Sequence, residues 1–373
     1  MNTQRRRRPP TLCSLAVLIA VSLAAVGCGS SASNSGSGGS GTSSSGQSGS
    51  SSAKKVHLGF IYATTASNFA QEMALGAEAA AAHTPGVSLT QAAPSTADET
   101  QEVPLFLSAT HTATDGLAME TLAPQLFVRA INQANAAHIP QISVDTPAPK
   151  GATTDLFIGN SNTELGEMLA NAMLPKIPKN ASGQILVGTD SPALIVLQLR
   201  NKGFESVIKK ARPGISFVNF DSQQSPTANY NTWNGEVKAH PDAIAYVGPG
   251  SQDAVSMAQI ERQTDKHYLV GADDLDPIAL NGVKQGYVDV LISPEHWLKG
   301  YLAIKLLAAH AQQGKPIPSG WWNPGAIVVT SKNVDTILAR QQNNTTRYDY
   351  FKKEAAQELA HPSKYIKPLK DAN

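Results

Sequence analysis

Disulfides cannot hold the folded part of this chain together, because its two cysteines, Cys13 and Cys28, both lie close to the amino terminus. A domain of about 300 residues buries enough surface to be stable without them. Reactive motifs are missing as well. The nine histidines are dispersed with no pair at i, i+4, and there is no G-x-S-x-G elbow, no H-E-x-x-H and no P-loop. Nor does one sign of charge dominate: 30 Lys and Arg stand against 29 Asp and Glu, so nothing steers the chain toward nucleic acid. After Lys55 no apolar run reaches the length of a bilayer span. No metal and no cofactor are expected.

What is present begins with a targeting pattern. Residues 5–8 are four arginines, and residues 12–26 are almost wholly apolar, the layout of a secretory signal peptide ending at residue 27. A retained anchor helix is the rival reading, but a span needs about 20 apolar residues and this run is shorter and interrupted by Ser14 and Ser22. Ala25-Val26-Gly27-Cys28 resembles the lipobox of bacterial lipoproteins, although an aliphatic residue is usual where Ala25 stands. The resemblance implies cleavage before Cys28 and a lipid on it; ordinary secretion is the alternative. Removal of residues 1–27 would leave 26 basic against 29 acidic side chains. Of residues 29–52, 20 of 24 are Ser or Gly, a composition that forms a flexible coil. Its literal G-x-G-x-x-G at Gly36, Gly38 and Gly41 follows no strand and opens no helix, so it is no dinucleotide site.

Beyond Lys55, apolar runs of strand length alternate with helical patterns. Residues 57–63, 87–93, 115–119, 141–145 and 156–159 read as strands, with helices over 67–83, 124–137 and 163–174. The rhythm continues with strands at 184–189, 215–220, 243–247, 268–272 and 288–292 and a helix over 193–211. Such alternation marks an α/β protein with parallel sheets. There are too many strands for one ordinary sheet, and two Rossmann-like lobes of about 100–150 residues each would accommodate them.

Five phrases in fixed order carry a resemblance: "HLGFIYATTASNFAQEMALGAEAAA", "AINQANAAHIPQISVDT", "FIGNSNTELGEMLA", "AHPDAIAYVGPGSQDAVSMAQI" and "LVGADDLDPIALNGVKQGYVDVLISPEHWLKGYLAIKLL". Together, over roughly residues 56–340, they resemble type I periplasmic binding proteins of the ribose/galactose kind, the substrate-capturing components of ABC importers. The resemblance implies two parallel-sheet lobes joined by a hinge that the chain crosses three times, near Gly159-x-x-Asn162-x-x-x-Gly166, Ser293 and Ala326. It sets the lobes at 56–158 plus 294–325 and 159–293 plus 326–373, after a signal peptide (1–27) and a lipidated linker (28–55). By spacing alone, Ser161 and Glu164 mark only a helix start.

In that family the ligand lies at the carboxyl ends of the strands, where open α/β sheets bind ligands. The implied contacts are Asn68 and Phe69, an amide and a stacking ring, with helix cap and core as the plain alternatives. Asp145 and Asp273 match the family's recurrent acids, which suit a polyol because a carboxylate accepts charge-assisted hydrogen bonds from hydroxyls. Either could instead be a turn or N-cap acid, and Asp274 could cap the following helix. Thr146 stands where ribose binders have an arginine. Gln198 and Arg200 lie near a second-lobe arginine, Gly250 and Ser251 replace an Asn-Asp pair, and Glu295 and His296 replace Gln-Asp, with Trp297 offering a stacking face. Trp233, Trp321 and Trp322 read as packing residues.

The expected protein is therefore a monomeric binder on the outer face of the cytoplasmic membrane, with a small polar ligand, a sugar or polyol, and an ABC permease as partners. Two other classes compete. A sensor serving a separate receptor would share the fold, and Asp145 with Asp273 could imitate a glycosidase's carboxyl pair.

Overall fold

The computed structural model describes residues 53–264 and 267–372. The expected signal segment, Cys28 and the Ser/Gly tract through residue 52 lie outside the described residues. Lys54, expected in the linker, already docks on the body by donating to the Ala311 carbonyl at 2.9 Å.

The chain begins with β1 (Val56–Ile61), α1 (Asn68–Ala82), β2 (Val87–Ala92), α2 (Glu99–Thr112), β3 (Leu117–Met119), α3 (Val128–Ala136), β4 (Gln141–Val144) and β5 (Leu156–Ile158). Their strands pair in parallel in the order β2-β1-β3-β4-β5. A second unit follows: α4 (Asn162–Met173), β6 (Gly183–Thr189), α5 (Ile195–Ala211), β7 (Ile215–Asp221) and α6 (Pro226–Ala239). It continues through β8 (Ala245–Gly248), α7 (Ser251–Gln263), β9 (Leu269–Asp273), α8 (Pro277–Gln285) and β10 (Val290–Ser293). This sheet is parallel in the order β7-β6-β8-β9-β10. Strands such as "LFI" and "VLIS" are buried along their whole length, as parallel strands covered by helices on both faces must be.

The remaining chain shuttles between the sheets. α9 (His296–Gln313) packs on α1 and β1, and β11 (Gly320–Trp322) extends the first sheet beside β5. β12 (Ile327–Val329) lies antiparallel to β10 in the second sheet, and α10 (Val334–Arg340) packs on α8. α11 (Asn344–Ala360) then returns to α9 and α1, and β13 (Ile366–Lys367) pairs antiparallel with β11. The expectation that residues 326–373 belong wholly to the second lobe is thus corrected: only the stretch through α10 stays there, and the chain crosses between lobes four times.

Tertiary pairing draws the tail back. Arg347 of α11 meets Glu72 of α1 at 2.6 Å, Phe351 stacks on Trp297 with ring centroids 5.1 Å apart, and Trp322 Nε1 donates to Glu358 at 2.9 Å.

Each lobe contains one helix pair in backbone contact. A Cβ on Gly76 of α1 would stand 1.9 Å from the Trp297 carbonyl oxygen, and one on Gly300 of α9 would stand 2.0 Å from that of Met73. In the second lobe a Cβ on Gly166 would stand 1.8 Å from the Arg200 carbonyl oxygen, and one on Gly203 would stand 2.1 Å from that of Thr163. No other residue fits such an approach. These crossings fix the first turn of α9 and the middle of α5, two of the helical segments that reach the cleft.

Candidate ligand cleft

A cavity of about 290 Å³ lies between the lobes, lined by the segments that follow four strands of each sheet. The first lobe presents Asn68 and Phe69 after β1, Thr96 after β2, Leu122 after β3, and Asp145 with Thr146 after β4. The second presents Asp190 after β6, Ser225 after β7, Ser251 after β8 and Asp274 after β9, with Arg200 from α5. His296 enters from the first turn of α9.

Asp145 and Asp274 occupy matching places. Each is the residue just past its strand, each has a left-handed backbone (φ 63° and 72°), and each donates its N–H at 2.8 Å to the neighbouring strand, to Ile158 and Ile292 respectively. Asp tolerates that conformation better than most residues, and such strained positions gather at binding sites.

A chain of charged contacts joins the two. His296 Nε2 lies 2.8 Å from Asp274, Lys299 Nζ donates to His296 Nδ1 at 3.3 Å, and Lys299 also pairs with Asp145. This assigns the proton of His296 to Nε2. Lys299 is wholly buried on an otherwise apolar stretch of α9. Burial alone would raise the Asp145 pKa, but Lys299, then His296 and Arg200, hold it below the usual carboxylate range.

Arg200 is anchored on three sides. Its Nε donates to Asn162 at 3.0 Å, one terminal nitrogen donates to the Pro249 carbonyl at 2.9 Å, and the same nitrogen meets Asp273 at 3.1 Å. The Gly159-x-x-Asn162-x-x-x-Gly166 segment therefore does more than cross between lobes: Asn162 holds the guanidinium while Gly166 admits the Arg200 backbone. Ser161 also caps α4, accepting from the Glu164 N–H at 3.3 Å.

Of the expected residues, Asn68, Phe69, Asp145, Thr146, Arg200, Ser251 and His296 line the cavity. Asn68 Oδ1 is buried without a hydrogen-bond partner, and the Phe69 ring lies 5.8 Å from the His296 ring. Asn68 is not the helix cap, since Ser67 holds that position.

Four expectations are corrected. Asp273 ends β9 and turns to Arg200 behind the cavity wall, because the left-handed turn comes one residue later at Asp274. Burial, and then Asp274, push the Asp273 pKa up to about 7 against the pull of Arg200. Gln198 is exposed on the outer side of α5 and folds back to the Pro192 carbonyl. Glu295 turns away with a left-handed backbone and pairs with Arg340 of α10 at 3.0 Å. Trp297 is core, stacked between Tyr301 and Phe351, its Nε1 donating to Asn344 at 2.7 Å.

Sequence reading missed Asp190, Asp274 and Lys299. The rule of polar residues just past strand ends would have found Asp190, which closes "ILVGTD". Asp274 was read as a helix cap, but Asp276 fills that role, accepting from the Ile278 N–H at 2.8 Å. Among the described residues no group of three or more His, Cys, Asp or Glu is placed to hold a metal ion.

This arrangement is that of a family. The family model described as the periplasmic binding protein domain matches residues 58–316, and the chain belongs to that family, of the type I, two-lobed kind. Solved structures of the same fold include a glucose-galactose binding protein from Geobacillus stearothermophilus, at 24% identity and TM-score 0.66 over 75% of this chain and 99% of that one. An ABC transporter solute binding protein from Agrobacterium vitis, bound to alpha-D-tagatopyranose, matches at 23% identity and TM-score 0.69, over 77% and 98%. One from Burkholderia graminis in complex with D-arabinose matches at 22% and 0.68, over 75% and 97%. No curated protein matched the chain. The family and these neighbours are binding proteins rather than enzymes.

Proposed function

We propose that this chain is an extracytoplasmic solute-binding lipoprotein that captures a hydroxylated small molecule, a sugar or polyol, between its lobes and delivers it to an ABC permease. The observation that carries the reading is the cavity itself, built from the carboxyl ends of four strands in each of two sheets joined by short crossings. Lobes so connected can close on a ligand by hinge bending. The sugars in the neighbouring structures support the ligand class.

In this reading Asp145 and Asp274 accept hydrogen bonds from the ligand's hydroxyls from opposite lobes, Asn68 Oδ1 accepts a third, and Arg200 donates. Phe69 covers the apolar face of the ring, and Thr146 and Ser251 add hydroxyl contacts. Asp273 and Lys299 position the charged contacts from behind. The site binds without catalysing: Asp145 is tied to the Lys299 ammonium and Asp274 accepts from His296 Nε2, which suits acceptance of hydrogen bonds better than proton transfer at a scissile bond. Cys28 carries the lipid that keeps the protein on the membrane, and the tract after it acts as a leash.

A thermal-shift screen with D-arabinose, D-galactose, D-tagatose, D-fucose and a wider set of sugars and polyols tests the reading. At a hundredfold excess over Kd a ligand adds about 2.7 kcal/mol of stability, so at least one compound should raise Tm by several degrees. A flat response across the whole set would overturn the ligand class.

A further inference from the structure

Charge in the cleft does not balance. Four carboxyls line it, Asp145, Asp190, Asp274 and Asp276, and facing them are Arg200 and His296. Asp145 has the Lys299 ammonium and Asp274 the His296 Nε2–H, while Arg200 is engaged from behind by Asp273. Asp276 caps α8. Asp190 has no close ion pair among the described residues: Arg200 acts on it only at longer range, and the groups bonded to it are the uncharged backbone N–H of Gln252 and the Ser191 side chain.

Asp190 is also fixed in place. Gly250 lies so close that a Cβ there would stand 2.2 Å from its Oδ2. The buried acid next to it makes a useful contrast, since Asp253 accepts from Ser222, Asn229 and Trp233 side chains and from the Gly250 N–H, and is saturated by donors. Burial, and then the charges of Asp253 and Asp274, push the Asp190 pKa well above the usual carboxylate range, the condition of an acid lacking a counter-charge. A metal ion does not answer the need, because no suitable cluster of ligands exists among the described residues. The cavity wall also offers carbon, from Leu194, Val196, Leu197, Val255 and Phe69.

Resting on the solute-binding reading above, we infer that the ligand is an aminated sugar or aminocyclitol, a hydroxylated ring whose single ammonium group sits on Asp190 while its hydroxyls reach Asp145, Asp274 and Asn68. An ammonium brings three donors and no acceptor, which complements a site rich in carboxylate oxygens and an unpartnered amide oxygen. The ring's carbon faces meet the aliphatic wall and Phe69.

The test is calorimetric titration of the full chain with D-glucosamine, D-galactosamine and D-mannosamine, each beside its neutral hexose and its N-acetylated form, which keeps the nitrogen and removes the charge. In the best-binding series the amine should exceed both uncharged members by about tenfold or more, the worth of one charged hydrogen bond. In Asp190→Asn the amine should lose that preference and bind no more tightly than its neutral hexose and N-acetylated form do to the same variant. Neutral hexoses binding as tightly as their amines in every series would overturn the inference and leave the solute-binding reading standing. A preference that survives in Asp190→Asn would overturn the seat at Asp190, and no binding in any series, with a flat thermal-shift screen, would overturn both readings. Should Asp190→Asn fail to fold, the three-membered comparison in the unaltered chain still decides.

Discussion

In the first lobe the cleft carboxylate Asp145 is held from behind by Lys299, a lysine wholly buried on α9; in the second the order is reversed, with the cation Arg200 at the cavity and the carboxylate Asp273 behind it. The scaffolds beneath are alike. Each lobe crosses two helices through reciprocal glycines and ends a central strand in a left-handed aspartate. The comparison teaches that the fold decides where polar groups emerge, while the sign they present depends on single residues one layer deeper. A second difference lies in the tail, which packs α11 on α1 and α9 of the first lobe and meets the second through α10, where Arg340 lies 4.9 Å from the Phe351 ring.

Breaking that tail contact should produce the largest effect. Arg347→Ala would leave Glu72 buried without its partner, and loss of one member of a buried pair costs about 3–5 kcal/mol. Urea denaturation should show the loss, with the second-lobe Trp233 reporting a later transition than the first-lobe tryptophans.

The glycine crossings come next. Gly76→Ala and Gly166→Ala each force two helices apart, at about 1–3 kcal/mol. Their consequences should separate the lobes. Gly166→Ala displaces the Arg200 backbone and should weaken ligand binding along with stability, whereas Gly76→Ala pushes on Trp297 in the core and should act mainly on stability.

The smallest effect is proton-linked and belongs to the first lobe. Burial raises the Glu102 pKa from 4.5 to about 8. An acid raised in the folded state contributes stability that is complete below the unfolded value and is lost as pH climbs through the folded value. Stability should therefore fall between about pH 4.5 and pH 8, and Glu102→Gln should flatten that decline. Melting curves taken across that range check it.

Much of the architecture was legible because it rests on local pattern. Runs such as "HLGFIYA" and "QILVGT" announce buried parallel strands by their length and apolarity, and β1 and β6 lie where those runs do. α2 left little trace, since it carries Pro104 within it and only three buried residues. The return of α11 was invisible because it depends on partners such as Arg347 and Glu72, 275 residues apart. The cleft was legible as a set of positions past strand ends. Its finer geometry was not: whether Asp273 or Asp274 faces the ligand is decided by the hydrogen bond from the Asp274 N–H to Ile292, and Trp297 turns into the core because Phe351 arrives from the tail.

Calorimetric titration of Asp145→Ala and Asp274→Ala, using whichever compound gives the largest thermal shift, tests the two-lobed site most directly. Each variant should lose about 1.5–3 kcal/mol of affinity, tenfold or more, while melting as a folded protein, because each lobe supplies one charged acceptor. Unchanged affinity in both would contradict a ligand held between them.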